Sequence, residues 1–356
     1  MRFLTALNFA ALATFVVAAP SYSTCTSIEV RKEWRTLTKA ERKAWIDAVN
    51  CLNKVPRTGK LNPPINTASY SDPSFQIPPQ NENSTYYDEL VYAHMNLNPV
   101  IHWTGLFLPW HRVYLHEWTN ILRSQCGYKG IAPYWAWEKD AADVQGSAIW
   151  DTDPESGLGG FSDNEDDDYT LHTGALKISV AYPVPHNLRR HYIPYPFGNS
   201  NLSAADTFTP TEVEKLLSQQ NYTAFQGFME KLSGMHGAVH LMMGGDMGTI
   251  CPAGSFNTSA CLVQRAATFS ANEPMFHLHH GNVDRLWWLW QEKSNVNKFS
   301  FHGGSVQNRS SLDIYPNGEA PWLDKTASLP SAGLWNTYKI EDTFDTRSWP
   351  WCYVYE

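Results

Sequence analysis

The sequence predicts a mainly α-helical domain in which a few amphipathic helices form a core wrapped by long, irregular connections. Three observations carry that expectation. Apolar residues recur at helical spacing in only a handful of segments, each with its own start or stop signal. The stretches between them, notably 56–79 and 132–222, are rich in proline, glycine, asparagine and serine. Fifteen tryptophans in 356 residues supply rigid bulk for a packed interior. Neither an internal repeat nor an interdomain linker is visible, so residues 20–356 are expected to form one domain.

The elements follow in order. Thr38 and Glu41 form a capping box, and Trp45, Ala48, Val49 and Leu52 repeat behind it, predicting a helix over 39–52. A second helix is expected from Tyr86 to Asn96, stopped by Pro99, and a third from Pro109, a good first-turn residue, to Ser124. Thr209-Pro210-Thr211-Glu212 opens a short helix. Phe225, Phe228, Met229 and Leu232 share one face of another, which is expected to continue past Gly234 to Met243. The last predicted helix runs from Pro274 to Lys293 with an aromatic face at Trp287, Trp288 and Trp290, and the tail after Phe299 reads as strand-like or irregular.

The first nineteen residues differ from the rest. Arg2 precedes an apolar run, Phe3 to Val17, that ends in Ala18 and Ala19, the pattern of a cleaved secretory leader and too short to span a bilayer. Six cysteines in the remainder favour disulfides in an exported chain, with Cys251 and Cys261 as the local pair. Sequons at Asn83, Asn201, Asn221, Asn257 and Asn308 fit the same extracellular route. A net charge of −8 with no basic stripe argues against a nucleic-acid partner, and no later segment is long and apolar enough for a membrane. The acidic run Asp163 to Asp168, flanked by glycines and serine, reads as a solvated loop rather than a calcium site.

Thirteen histidines are distributed unevenly. His94, His102 and His111 form one group; His236, His240, His277, His279 and His280 form another. His236 and His240 stand at i and i+4, so both imidazoles leave one helix face a turn apart, as two ligands of one metal must. A zinc-protease reading fails because Gly237 stands where that motif needs glutamate. Imidazoles without a nearby thiolate or carboxylate set suit copper as well as zinc, and spacing alone leaves both open.

The surrounding words are more specific. The segments from His102 to Arg112 (HWTGLFLPWHR) and from Glu273 to Trp287 (EPMFHLHHGNVDRLW) resemble the two copper signatures of the tyrosinase, catechol oxidase and hemocyanin superfamily. Pro133-Tyr134-Trp135-Ala136-Trp137 is similar to that family's PYWxW segment. Val30-Arg31-Lys32 and Tyr353-Val354-Tyr355 resemble the arginine and YxY pair that bracket its core domain. The likeness runs from residue 29 to 355 and is nearest the short secreted fungal enzymes.

That resemblance implies a central four-helix bundle holding two copper ions. His94, His102 and His111 would bind the first, and His236, His240 and His280 the second. His280 is preferred over its neighbour His279 because Phe276 stands four residues before it, as in the family. Asp284, one helical turn on, is expected to orient the His280 ring. His116, His172, His186, His191, His277 and His302 match no ligand position. Substrate is expected over the second copper, stacked on His280, with Leu241 and Gly237 lining the pocket and Phe276 either a pocket wall or plain core packing.

Two departures bear on activity. Val100 replaces a cysteine that many relatives cross-link to a histidine. Gly237 stands where efficient monophenol hydroxylases often carry an asparagine that, with a glutamate, holds a water; Glu230 is the nearest upstream carboxylate, with a solvent-facing role equally open. The expected function is therefore dioxygen-dependent oxidation of o-diphenols to o-quinones, with monophenol hydroxylation secondary. The alternatives are a tyrosinase with strong monophenolase activity in melanin or secondary-metabolite synthesis, a hemocyanin-like oxygen carrier, and a catalytically silent protein keeping the fold. The chain stops one residue after the YxY pair, so no C-terminal lid domain is expected.

Overall fold

A computed structural model describes residues 24–198 and 201–356. The expected leader, 1–19, lies outside the described residues.

Helix α1 spans Lys39–Leu52 and opens on the anticipated capping box: the Thr38 hydroxyl accepts the Glu41 N–H, and the Glu41 carboxylate accepts the Thr38 N–H at 2.7 Å. A second capping box, Thr85 with Asp88, starts α2, Tyr86–Ile101. This helix runs through Pro99 instead of stopping before it. Proline there removes one backbone bond and crowds the preceding turn, a cost of about 3 kcal/mol. Burial offsets it, because every residue of α2 except Val100 is buried.

Helix α3, Phe107–Cys126, begins two residues before Pro109, which sits in the first turn where no N–H has an intrahelical partner anyway. It ends at Gly127, whose φ of 67° only glycine adopts without strain. Helix α4 covers Pro210–Leu217. The single helix expected around 225–243 is in fact two, α5 (Tyr222–Glu230) and α6 (Met235–Met242). The chain turns tightly between them, with the Gly234 N–H on the Lys231 carbonyl at 2.7 Å. A Cβ at Gly234 would lie 2.8 Å from that carbonyl oxygen, so this glycine permits the turn. Helix α7 spans Met275–Gln291.

Helices α2, α3, α6 and α7 form the centre, with α2 on α3, α3 on α7 and α6 on α7. Helix α1 covers α3 from outside, and α4 and α5 extend the α6–α7 side. Long connections and short two-stranded sheets surround this core.

The chain ends meet. Glu29–Arg31 pairs in parallel with Tyr353–Tyr355, and the Cys25–Cys352 disulfide closes the same junction. Cys51–Cys126 ties α1 to the end of α3, and Cys251–Cys261 is the anticipated local bridge. Asp284 of α7 anchors this junction to the core. It accepts from the hydroxyls of Tyr353 at 2.6 Å and Tyr355 at 2.5 Å, and pairs with Arg112 at 2.5 Å and Arg31 at 3.5 Å. Asn83, Asn201, Asn221 and Asn257 are exposed and Asn308 is half-buried. Among the described residues no helix is long and apolar enough to cross a membrane.

Candidate metal centre

The four central helices bring the histidines together in two clusters. Donor nitrogens of His94 (α2), His102 (immediately after α2) and His111 (α3) lie within 4.8 Å of one another. Those of His236 and His240 (α6) and of His279 and His280 (α7) do the same. The clusters adjoin: the His111 and His280 rings stack with centroids 4.3 Å apart and planes 7° from parallel. His102 and His236 face each other at 5.9 Å.

Ring orientation is set by backbone carbonyls. Nδ1 faces the carbonyl of Thr268 in His94 (3.2 Å), of Asn98 in His102 (3.3 Å), of Phe107 in His111 (2.8 Å) and of Met247 in His240 (3.4 Å). A carbonyl only accepts, so Nδ1 carries the proton and Nε2 presents a lone pair. Nε2 of His94, His111 and His236 is buried without any hydrogen-bond partner among the described residues. Buried polar atoms are normally satisfied, and here several unsatisfied lone pairs converge.

Protonation offers no escape. Burial lowers the pKa of His94 to about 3 and of His240 to about 4. The same burial, reinforced by neighbouring imidazoles, holds His102, His111, His236, His279 and His280 well below the ordinary value. Neutral imidazoles in two adjoining groups, four of them with Nδ1 on a backbone carbonyl, fit a pair of redox metal ions of the copper type.

A cavity of about 440 Å³ opens onto the centre. His94, His102, His236 and His240 reach its wall, along with Gly237, Leu241, Trp103 and Glu230. Gly237 and Leu241 line this cavity.

Two other expectations, for His280 and Asp284, are corrected, and Phe276 takes the second of its two readings. His280 does not reach the wall; its ring faces lie against His111 and Phe276, so it offers no free face for substrate stacking. Phe276 is core packing, fully buried with its ring 4.2 Å from His280 and 5.0 Å from His94. Asp284 turns away from His280 to the two tyrosines and two arginines at the chain junction, which leaves His280 Nδ1 without a partner among the described residues. Burial alone would raise the Asp284 pKa, but Arg112 and Arg31 outweigh it and hold the carboxylate ionised.

Glu230 is buried, not solvent-facing. Its carboxylate accepts the Trp103 main-chain N–H at 2.6 Å and the Gln226 amide at 2.9 Å. Burial pushes its pKa well up, against the pull of those two bonds. Thr268 and Met247 escaped sequence reasoning because their roles run through main-chain carbonyls, which leave no residue-type signal.

Two facing groups of neutral imidazoles inside a helical bundle define a binuclear metal protein. Comparisons with known proteins agree. Residues 84–293 match the common central domain of tyrosinase. A tyrosinase-like protein of Diaporthe leptostromiformis (phomQ1') is 31% identical over 93% of this chain and 81% of its own length. The N-acetyl-6-hydroxytryptophan oxidase (ivoB) of Emericella nidulans is 28% identical over 98% of this chain and 99% of its own. A polyphenol oxidase structure from Thermothelomyces thermophila shares the fold, with a TM-score of 0.69 at 22% identity over 92% of this chain and 89% of that one. The chain belongs to the tyrosinase family, whose cofactor is a pair of copper ions and whose members oxidise phenols with dioxygen.

Proposed function

We propose that the protein oxidises o-diphenols to o-quinones with dioxygen and hydroxylates monophenols more slowly. His94, His102 and His111 would hold one copper, and His236, His240 and His280 the other. Copper bound there supplies the redox chemistry. Each catechol gives up two electrons and two protons, and one dioxygen turned over with two catechols leaves two waters and two quinones.

The chain's own residues supply the rest. The carbonyl-fixed rings keep donor nitrogens unprotonated, and the cavity admits an aromatic ring beside His236 and His240. The observation that carries the diphenol preference is Gly237. It faces the same cavity as Glu230 but offers no side-chain amide to share a water with that carboxylate. A monophenol that must lose its proton on arrival therefore meets a weakened base.

Oxygen uptake with tyramine and tyrosine against their catechol forms tests this. A catechol rate at least about tenfold above the lag-free monophenol rate is expected; equal, lag-free monophenol turnover would overturn the preference. A second reading, strong monophenolase activity, draws on the same buried Glu230. Quinone formation from catechol would exclude a dioxygen carrier.

The leader-like N-terminus, three disulfides and five sequons support export and glycosylation of the chain. A mature N-terminus near residue 20 and a mass drop on deglycosylation are the expected observations.

A further inference from the structure

Five ionisable side chains other than imidazoles line the cavity: Asp72, Glu230, Lys231, Arg265 and Arg309. Two answer each other, since Arg309 pairs with Asp72 at 3.0 Å while its guanidinium lies 5.0 Å from the Trp103 ring. Glu230 is held by the Trp103 N–H and Gln226. That leaves two cations without an anion. The Lys231 ammonium sits 4.4 Å over the Phe228 ring and makes no ion pair among the described residues.

Arg265 is the more telling. It is half-buried, and its single side-chain hydrogen bond goes to the Pro196 carbonyl at 3.5 Å, the outer limit for such a bond. No carboxylate pairs with it among the described residues. Burial lowers its pKa and nothing nearby opposes the shift. Its guanidinium remains open to the cavity, with most of its five donors free of protein partners among the described residues.

Its position is also fixed. The Cys251 N–H bonds the Gln264 carbonyl at 3.0 Å, and the Ala266 N–H bonds the Thr249 carbonyl at 2.9 Å, so the backbone is pinned on both sides of Arg265. The Cys251–Cys261 disulfide closes the loop that ends just before this segment. An unpaired fork donor on a pinned backbone, facing the cavity, matches the planar geometry of a carboxylate.

We propose that Arg265, assisted by Lys231, is a specificity site for a carboxylate, so that the phenol this cavity takes carries an acidic group on the end remote from the metal centre. The assignment rests on the phenol-oxidase reading above. The test is kcat/KM of copper-loaded protein for 3-(3,4-dihydroxyphenyl)propionic acid, its methyl ester and dopamine, in wild type, Arg265→Gln and Arg265→Glu. Wild type should favour the acid over the ester by about tenfold, the worth of one charge-assisted contact. In Arg265→Gln the ratio should fall to within about twofold of unity, and in Arg265→Glu the amine should become the preferred substrate. Calorimetric binding of 3-phenylpropionate to the metal-free protein, weakened at least about fivefold in Arg265→Gln, gives the same answer without turnover.

Good ester turnover with no preference for the acid, or unchanged 3-phenylpropionate affinity in Arg265→Gln, overturns the carboxylate site and leaves the oxidase reading standing. Failure to oxidise any of the three catechols overturns the oxidase reading and, with it, this one.

Discussion

The Glu230 carboxylate accepts the main-chain N–H of Trp103 at 2.6 Å, while the Trp103 indole donates to the Glu230 carbonyl at 2.7 Å. Trp103 has a φ of 49°, a left-handed conformation that a bulky side chain rarely takes, and it directly follows His102. The end of α5 thus clamps a strained residue beside an imidazole of the first histidine cluster. Both carboxylate oxygens act as acceptors. In Glu230→Gln one of them becomes an amide donor facing another donor. The expected result is a loss of about 1–3 kcal/mol in denaturant unfolding of the metal-free protein, with faster copper loss to a chelator. Wild-type stability and copper retention together would contradict the clamp.

Asp284 makes a larger demand. Arg112, Arg31, Tyr353 and Tyr355 all converge on this buried carboxylate. Asp284→Asn leaves the fully buried Arg112 guanidinium without an anion, while Arg31 keeps Glu29 at 3.4 Å, and about 3–5 kcal/mol of stability should disappear. Because the tyrosines belong to the closing strand, limited proteolysis should also release the C-terminal segment earlier than in wild type. An unchanged melting temperature would show that the network is dispensable.

The imidazoles set the pH dependence of the metal-free protein. The folded-state pKa is about 3 for His94 and His116 and about 4 for His240, against 6.5 ordinarily. Between pH 6.5 and about 4 the unfolded chain binds protons on these rings and the folded one does not. Stability therefore falls as pH falls through that window, by up to about 1.4 kcal/mol per pH unit for each ring. Asp284, whose folded pKa is lowered, adds its own loss only below the ordinary carboxylate range. Bound metal should shift the acid transition to lower pH, because it requires the same deprotonated nitrogens. Calorimetric melting with and without copper measures both; a flat profile from pH 7 to 4 in the metal-free protein would contradict neutral burial.

Gly237 is an open position. A Cβ built there meets nothing nearer than the Leu232 carbonyl oxygen at 3.5 Å, an ordinary contact. Gly237→Asn should therefore fold, place an amide on the cavity wall shared with Glu230, and raise the ratio of monophenol to diphenol turnover by about tenfold. The combined Gly237→Asn, Glu230→Gln variant should lose most of that gain. A ratio unmoved by asparagine would remove the basis for the diphenol preference.

Much of this architecture was legible because its signals are local. The capping box before α1, the i, i+4 pair on α6 and the paired words around His102–His111 and His277–His280 depend on neighbours in sequence. The failures came from long-range packing. Pro99 reads as a helix stop, but a helix enclosed on nearly every side keeps its course. Gly234 reads as a tolerated helix interior residue, yet it makes the tight turn that separates α5 from α6. Asp284 stands one turn from His280 and reads as its partner, but the returning strand carries tyrosines that only the fold can bring to it. Arg265 sits in a loop with no motif, and its meaning appears only once the cavity is seen.

The central claim is that two groups of imidazoles hold two copper ions, and copper content per chain tests it most directly. Elemental analysis of copper-loaded, dialysed protein should give two coppers per chain, falling to one or fewer in His111→Ala and in His240→Ala with loss of oxygen uptake. His280→Ala should behave like His240→Ala, whereas His279→Ala should keep both ions. A wild-type ratio well below one, or full copper content and turnover after loss of His111 or His240, would contradict the account.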